Sequence, residues 1–331
     1  MSIFRKKEEE YEDEEELEET PRQRRIRDLK PEYKKKRKEP PKPWGKKERL
    51  LVLFFLVGTV LISAVLGLSS RNWKLPGMPN ITFSKPDFNF FKEETIIIGG
   101  KSEGKQKALK AANVFENKVM PYTGTYALYV LRLEDGSGYG VNENKKMQAA
   151  SLIKLPMMAA VYMQAEKKEL SLADKPQGQT RSYQELVEAM GKASDNEAFR
   201  IVRKALGDEI INQTAKDIGM SSTSLVENET TPKDVGLFFE KLWKAEFVSS
   251  AHRDEFLGYL TDTIFENWLA AGIMDVRVAH KYGKETHVVN DAGIVYAQKP
   301  FVLVIMSQGI VEREADQLIP ELAAEIYDIE K

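Results

Sequence analysis

Two residues at the start of an apolar stretch carry side chains that could do chemistry together. Ser151 and Lys154 stand three residues apart in SLIKLPMMAAVYM. Residues with this spacing lie about 60° apart on the same face of a helix, so the lysine amine can reach the serine hydroxyl. A lysine with a lowered pKa can activate a serine nucleophile, and the positive end of a helix favours the anion that develops on the serine oxygen. The pair therefore predicts acyl transfer through Ser151.

The Ser-x-x-Lys spacing by itself is not specific, because the chain contains a second pair with the same spacing. Ser102-Glu103-Gly104-Lys105 has the same spacing in a polar, glycine-bearing stretch, where we expect no apolar helix behind the serine. For Ser151 the alternative is a serine that caps a helix, followed by a lysine that extends into solvent. Residues elsewhere in the chain must decide between the two interpretations.

Two further motifs follow in the chain. Ser194-Asp195-Asn196 falls 43 residues after Ser151, at a break between two helical stretches, and Lys281-Tyr282-Gly283 lies in the first of the late strands. Singly, the first motif is typical of a helix cap and the second of a charged strand edge. In this order, the three motifs resemble the Ser-x-x-Lys, Ser-Asp-Asn and Lys-Thr-Gly set of class A β-lactamases and penicillin-binding proteins. The resemblance covers about residues 105–331 and includes VVNDAGIVYA, PFVLVIMSQ and TTPKDVG.

The resemblance implies a role for each matching residue. Ser151 would be the acylated nucleophile, Lys154 would activate it, and Ser194 would relay a proton to the leaving nitrogen. Asn196 would bind the substrate amide, and Lys281 would hold positive charge near Ser194 and the substrate carboxylate. The backbone N–H groups of Ser151 and Lys284 would form the oxyanion hole, beside Tyr282 and Gly283 in the substrate-binding strand.

The sequence departs from the family pattern at two places. Tyr282 replaces the usual threonine or serine, and its hydroxyl lies farther from the backbone, which puts carboxylate recognition in doubt. The segment SLVENETTPKD is much shorter than the family's Ω-loop and lacks Glu-x-x-Leu-Asn, so the deacylating glutamate has no clear counterpart. Glu227 and Glu229 are the nearest candidates for this base, and the alternative for each is a solvated loop acid.

The elements that must position these residues follow from the hydrophobic periodicity. We expect a helix over 104–120, a hairpin of strands 125–133 and 139–141, helices through 150–270, strands at 276–283, 287–297 and 301–308, and a last helix over 312–329. The predicted fold is an α/β class, α+β sandwich, in which N- and C-terminal helices flank an antiparallel sheet and an all-helical subdomain is inserted. The site would lie where the sheet meets that subdomain.

The N-terminal part of the chain has a different organisation. Residues 50–70 form an uncharged run that is about 30 Å long as a helix, which predicts a single transmembrane helix. Residues 30–49 hold ten Lys/Arg and residues 71–90 hold three, so we expect residues 1–49 to be a disordered, charged cytoplasmic tail. Residues 71–104 are then an extracytoplasmic stalk, and 105–331 are the catalytic domain, outside a cell membrane.

Composition excludes several kinds of function. The chain has no cysteine, which excludes thiolate metal sites and a cysteine nucleophile, and its formal net charge of −2 argues against a nucleic-acid partner. His252, His280 and His287 are too few and too scattered for a metal site; His280 and His287 could pair across a hairpin without a third ligand. We expect no metal and no cofactor.

These observations lead to a hypothesis with two alternatives. The hypothesis is a membrane-anchored serine acyl-hydrolase that resembles class A β-lactamases and acts on a β-lactam or a related D-alanyl amide of the cell wall. The alternatives are a D-alanyl-D-alanine peptidase of the same fold and a wall-facing binding module without turnover. The oligomeric state is left open.

Overall fold

The structure, a computed structural model, describes residues 45–69, 95–98 and 102–331. The chain divides into two units, Met1–Pro86 and Asp87–Lys331. Nearly all of the predicted charged tail, residues 1–44, and most of the predicted stalk, residues 71–94 and 99–101, lie outside the described residues, as does residue 70 at the end of the predicted transmembrane helix.

The first unit contains one described helix, α1, Lys46–Ser69. Large apolar side chains on it are exposed, among them Leu50, Phe54 and Phe55. Within the described residues, no helix combines the length and apolar character that a membrane crossing requires, so the transmembrane helix predicted at 50–70 is not confirmed.

The second unit combines one six-stranded antiparallel sheet with helices on both of its faces. Its elements, in chain order, are β1 Thr95–Ile98, α2 Ser102–Val119, β2 Thr125–Arg132, β3 Gly138–Val141, β4 Met147–Gln148, a 3₁₀ turn Ala150–Ile153, α3 Lys154–Glu166, α4 Tyr183–Lys192, α5 Asn196–Leu206, α6 Asp208–Ile218, β5 Glu229–Thr230, α7 Pro232–Trp243, α8 Ser250–Tyr259, α9 Leu269–Gly272, β6 Val278–Glu285, β7 Val288–Val295, β8 Phe301–Gln308 and α10 Glu312–Glu330.

The sheet is built from both ends of this unit. Its strand order is β1-β3-β2-β8-β7-β6, and β4 pairs with β5 in a separate two-stranded ribbon. Alternate side chains of β2 enter two different hydrophobic cores, because successive residues of a strand point to opposite faces. Ala127 and Tyr129 belong to the core shared with α3 to α8, whereas Tyr126 and Leu128 belong to the core shared with α2, α9 and α10.

The predicted fold class is confirmed, and two details of the prediction are wrong. Residues 95–98, which we expect in the stalk, form edge strand β1 and pair antiparallel with β3. Helix α2 begins at Ser102, so the Ser102-to-Lys105 motif does open a helix with an apolar face. Buried Ala108, Ala112 and Phe115 supply that face, and the polar residues before them hide it from a short sequence window.

Helix α3 joins the sheet to the helical subdomain. Its residues from Lys154 to Tyr162 are all buried, as expected of a helix that is apolar on every side. The 3₁₀ turn that precedes α3 lies against β6, the edge strand on one side of the sheet. The predicted nucleophile and the predicted strand lysine therefore lie at the junction of the two parts.

Candidate active site

Ser151 lies in the 3₁₀ turn Ala150–Ile153, just before α3. A 3₁₀ helix has three residues per turn, so side chains at positions i and i+3 eclipse one another. Lys154 is therefore better aligned with Ser151 than the 60° offset of an α-helix predicts, and its Nζ lies 2.9 Å from Ser151 Oγ. Ala149 and Ile153, the residues that precede the turn and α3, make no side-chain cap, so the interpretation of Ser151 as a capping serine is wrong.

The turn is held against β6 and β7 by close backbone contacts. A Cβ at Gly283 would lie 2.8 Å from Ser151 N and 3.3 Å from Ala149 O, so only glycine allows β6 to approach the nucleophile this closely. The buried amide of Asn290 donates to Gln148 O at 2.8 Å and to Ala149 O at 3.1 Å. These contacts hold Ala150 at φ 48°, a left-handed conformation that is costly for a residue other than glycine.

Lys154 joins two of the sequence motifs. Besides Ser151, its Nζ donates to Asn196 Oδ1 at 2.7 Å, to Ser194 O at 2.6 Å and lies 3.1 Å from Ser194 Oγ. Burial lowers the pKa of Lys154 to about 8, against the opposing effect of the Asp195 and Glu285 carboxylates. A substantial fraction of this amine is therefore neutral near physiological pH, as a base for Ser151 requires.

Ser194 lies between the two lysines. Lys281 Nζ donates to Ser194 Oγ at 2.9 Å, on the other side from Lys154. Burial, followed by the nearby Lys154, lowers the pKa of Lys281 well below its usual value. Because the hydroxyl can accept from both amines and still donate its own hydrogen, Ser194 is arranged to pass a proton onward.

The backbone around Ser194 is fixed by the start of α5. Asp195 caps this helix by accepting from Glu197 N at 2.7 Å and Ala198 N at 3.1 Å, and it pairs with Arg181 at 2.9 Å. Ser194 itself has φ 53°, again in the left-handed region. The capping role expected of this motif is thus real, but it belongs to Asp195, which leaves Ser194 and Asn196 free to meet Lys154.

Tyr282 forms an aromatic wall beside Lys281. Its ring centroid lies 4.8 Å from that of Phe265 and 6.3 Å from that of Trp268, and Lys281 Nζ lies 4.1 Å from the Tyr282 centroid. An ammonium over an aromatic face is stabilised by the ring quadrupole. Tyr282 therefore interacts with the strand lysine through its ring.

The backbone N–H of Lys284 is directed away from β7, at the free edge of β6. His280 N donates to Leu260 O at 2.7 Å, away from β7, and alternate residues of an edge strand repeat this direction. Tyr282 and Lys284 are two and four residues after His280 in β6, so their backbone N–H groups have the same direction as that of His280. Gly283, which precedes Lys284, lies against Ser151 N, so the backbone N–H groups of Ser151 and Lys284 belong to two segments that are in contact.

Glu227 and Glu229, the candidates for a deacylating base, lie in the loop around β5. Asn228 O accepts from Ala149 N at 2.8 Å, and Glu229 in β5 lies opposite Gln148 in β4, so the loop touches the segment that leads to Ser151. Glu227 is exposed. Among the residues that the structure describes, neither glutamate carboxylate accepts a hydrogen bond from Ser151 or Lys154.

A protein-family model identifies the family of the chain. The model described as the β-lactamase enzyme family matches residues 110–329, which hold all three motifs. The chain belongs to this family. It is accordingly a serine hydrolase that acts on amides. A search of curated proteins found no match.

Solved structures share the fold of the β-lactamase family member described here. One is PBP-A, with a TM-score of 0.61 and 24% identity over 66% of this chain and 95% of PBP-A. Another is a β-lactamase from Burkholderia phymatum, with a TM-score of 0.63 and 21% identity over 68% of this chain and 100% of that protein. A third is a β-lactamase from Sphaerobacter thermophilus, with a TM-score of 0.61 and 21% identity over 66% of this chain and 96% of that protein. At these identities the likeness concerns the fold.

In this β-lactamase family member, two residues that the sequence motifs did not indicate contact the segments around the site. Asn290 organises the turn before Ser151, and Glu285 accepts hydrogen bonds from Gln148 and Asn228. Strand alternation could have identified Glu285, because it repeats the phase of Lys281 and Gly283. Asn290 gave no local signal, since its partners lie more than 140 residues away in the chain.

A buried charge network lies on the other face of β6. His280 Nδ1 lies 2.8 Å from Asp291 Oδ1, and its Nε2 lies 3.3 Å from Glu266 Oε2. Burial lowers the pKa of His280, but the Asp291 and Glu266 carboxylates outweigh burial and raise this pKa to about 10. His287 instead faces Ile310 O, so the two histidines do not pair across the hairpin. His280 is a structural cation that fixes the segment carrying Phe265 and Trp268.

Proposed function

We propose that Ser151 forms an acyl-enzyme with the amide of a β-lactam or a related D-alanyl substrate. The observation that carries this proposal is the position of Lys154 Nζ, which lies within hydrogen-bond distance of Ser151 Oγ, Ser194 and Asn196. A crystal structure of a PBP-A variant as its acyl-enzyme complex with penicillin G supports the choice of a β-lactam.

The geometry supports a specific order of proton transfers. Neutral Lys154 takes the proton of Ser151 Oγ, and Oγ attacks the carbonyl carbon of the amide. The N–H groups of Ser151 and Lys284 bind the oxygen that becomes negative. Ser194 then donates its proton to the leaving nitrogen as the C–N bond breaks, and Lys154 or Lys281 returns a proton to Ser194. Water later cleaves the ester and regenerates Ser151.

A labelled penicillin tests this proposal on the full chain. We expect one adduct per chain, and peptide mapping by mass spectrometry should place it on Ser151. Ser102→Ala provides a matched control, since Ser102 has the same spacing to a lysine and should not affect labelling. An adduct on another serine, or no adduct under conditions that label a penicillin-binding protein, would contradict the proposal.

The peptidase alternative has specific structural support. Hydrolysis of a small acyl group needs a base that positions water, and neither Glu227 nor Glu229 is hydrogen-bonded to Ser151 or Lys154 among the described residues. This favours a long-lived acyl-enzyme, which is the behaviour expected of a D-alanyl-D-alanine peptidase toward penicillin. The Ser151–Lys154 hydrogen bond argues against a binding module without chemistry, because burial of a lysine amine costs stability and binding alone does not require it.

We also propose that the catalytic unit faces outward from a cell membrane, anchored near residues 50–70. The uncharged run, the exposed apolar side chains of α1 and the excess of Lys/Arg before the run support this arrangement. Protease added to intact cells should release a fragment that contains Ser151. Protection of that fragment, or its recovery in the soluble fraction of lysed cells without protease, would refute the proposal.

A further inference from the structure

Three residues of β6 line one side of the candidate site. Successive residues of a strand point to opposite faces, so Lys281, Gly283 and Glu285 lie on the same face of β6. Lys281 contacts Ser194 and Gly283 contacts the Ser151 backbone, which identifies this face as the one toward the nucleophile. Four residues of strand span about 13 Å, so the lysine amine and the Glu285 carboxylate lie toward opposite ends of the site.

The carboxylate of Glu285 is held in a fixed orientation. Gln148 Nε2, from β4, donates to Oε2, and Asn228 Nδ2, from the loop before β5, donates to Oε1 at 3.2 Å. The residue is nevertheless exposed, and each of its oxygens retains a lone pair for a further donor. Among the described residues, no lysine, arginine or histidine forms an ion pair with it, so its charge is available to a ligand.

The charge of Glu285 also acts within the site itself. After burial and Asp195, Glu285 is the next influence on the pKa of Lys154, and it raises that pKa. Its field therefore reaches the amine that lies 2.9 Å from Ser151 Oγ. A bound substrate at Ser151 would experience the same field.

The position of Ser194 gives the direction of the substrate, given the proposed function on which this inference rests. Ser194 protonates the leaving nitrogen, and it lies beside Lys281, so the leaving group extends toward Lys281. The acyl side of the amide must then extend along β6 toward Glu285. We propose that Glu285 determines specificity by recognising an ammonium group on the acyl side of the scissile amide.

Three penicillins that share one nucleus and one phenyl side chain test this inference. Ampicillin carries an ammonium at the side-chain carbon, penicillin G carries no charge there, and carbenicillin carries a carboxylate. In the full-length protein, we expect acylation rate constants to fall in that order, at one pH below the pKa of the ampicillin amine. The ratio of ampicillin to carbenicillin should fall about fivefold in Glu285→Gln and should shrink with added salt.

Two further variants separate recognition from folding. Glu285→Lys should invert the order and favour carbenicillin, while Glu209→Gln, the same neutralisation on the exposed side of α6, should leave all three rates unchanged. Penicillin G serves as the internal measure of an intact site in every variant. If the ratio of the ampicillin to the carbenicillin acylation rate constant were the same in the wild type, Glu285→Gln and Glu285→Lys, the role of Glu285 would be refuted and the proposed function would stand. Failure of all three penicillins to acylate the wild type would instead refute the proposed function.

Discussion

Replacing Lys154 by methionine is expected to slow acylation of Ser151 by a labelled penicillin by about 10²–10⁴-fold, the usual contribution of a positioned base. Methionine has a similar length and no charge, so it fills the buried space of the lysine without its amine. The rate of label incorporation, measured with Ser151→Ala as the zero level, checks this expectation. Lys167→Met, at the exposed residue that follows α3, should label at the wild-type rate.

The pH dependence of the same reaction distinguishes a base from a packing residue. Lys154 accepts the serine proton only when neutral, and burial lowers its pKa to about 8. The acylation rate of the wild type should therefore rise with pH and level off above about pH 8, and Lys154→Met should lack this rise. The Asp195 and Glu285 carboxylates oppose this lowering, and Lys154 in turn lowers the pKa of the neighbouring Lys281. Fast, pH-independent acylation of the methionine variant would show that Lys154 is not the base.

A chromogenic cephalosporin is expected to give a burst of about one turnover per chain, followed by hydrolysis slower by about 10²–10⁴-fold. Acylation can use Ser151, Lys154, Ser194 and the oxyanion donors, whereas deacylation needs a carboxylate that positions water. Asn228 O accepts from Ala149 N in the segment before Ser151, and among the described residues neither Glu227 nor Glu229 accepts a hydrogen bond from Ser151 or Lys154 through its carboxylate. Rapid-mixing absorbance measurements resolve the two phases.

Variants of the loop complete this test. Glu227→Gln and Glu229→Gln should leave both the burst and the slow phase unchanged, because within the described residues neither carboxylate is hydrogen-bonded to Ser151 or Lys154. Rapid steady hydrolysis without a burst would contradict the prediction. If Glu227→Gln or Glu229→Gln then abolished that hydrolysis, the loop would be identified as the source of the base.

Local chemistry in the sequence determined the elements and the reacting pair. The alternating TYALYVLR predicts a strand because its period of two fits a sheet with a core on each face, and β2 spans Thr125–Arg132. Ser151 and Lys154 lie within one turn of helix, so their spacing allows the contact, and the two later motifs in the sequence single out this pair from Ser102 and Lys105. The edge strand at 95–98 escaped prediction, because four residues between breaker-rich stretches are too short to show a period, and only pairing with β3 distinguishes them from a linker.

Only the tertiary structure decided how the site is completed. Ser194 meets Lys281 across 87 residues of chain, and Gln148 meets Glu285 across 137, contacts that form when the sheet and the helical subdomain close around the site. The same closure buries the two lysines, and burial is what lowers their pKa values, so no spacing in the sequence could reveal it. The fit of Gly283 against Ser151 N likewise exists only once β6 lies at the sheet edge beside the 3₁₀ turn.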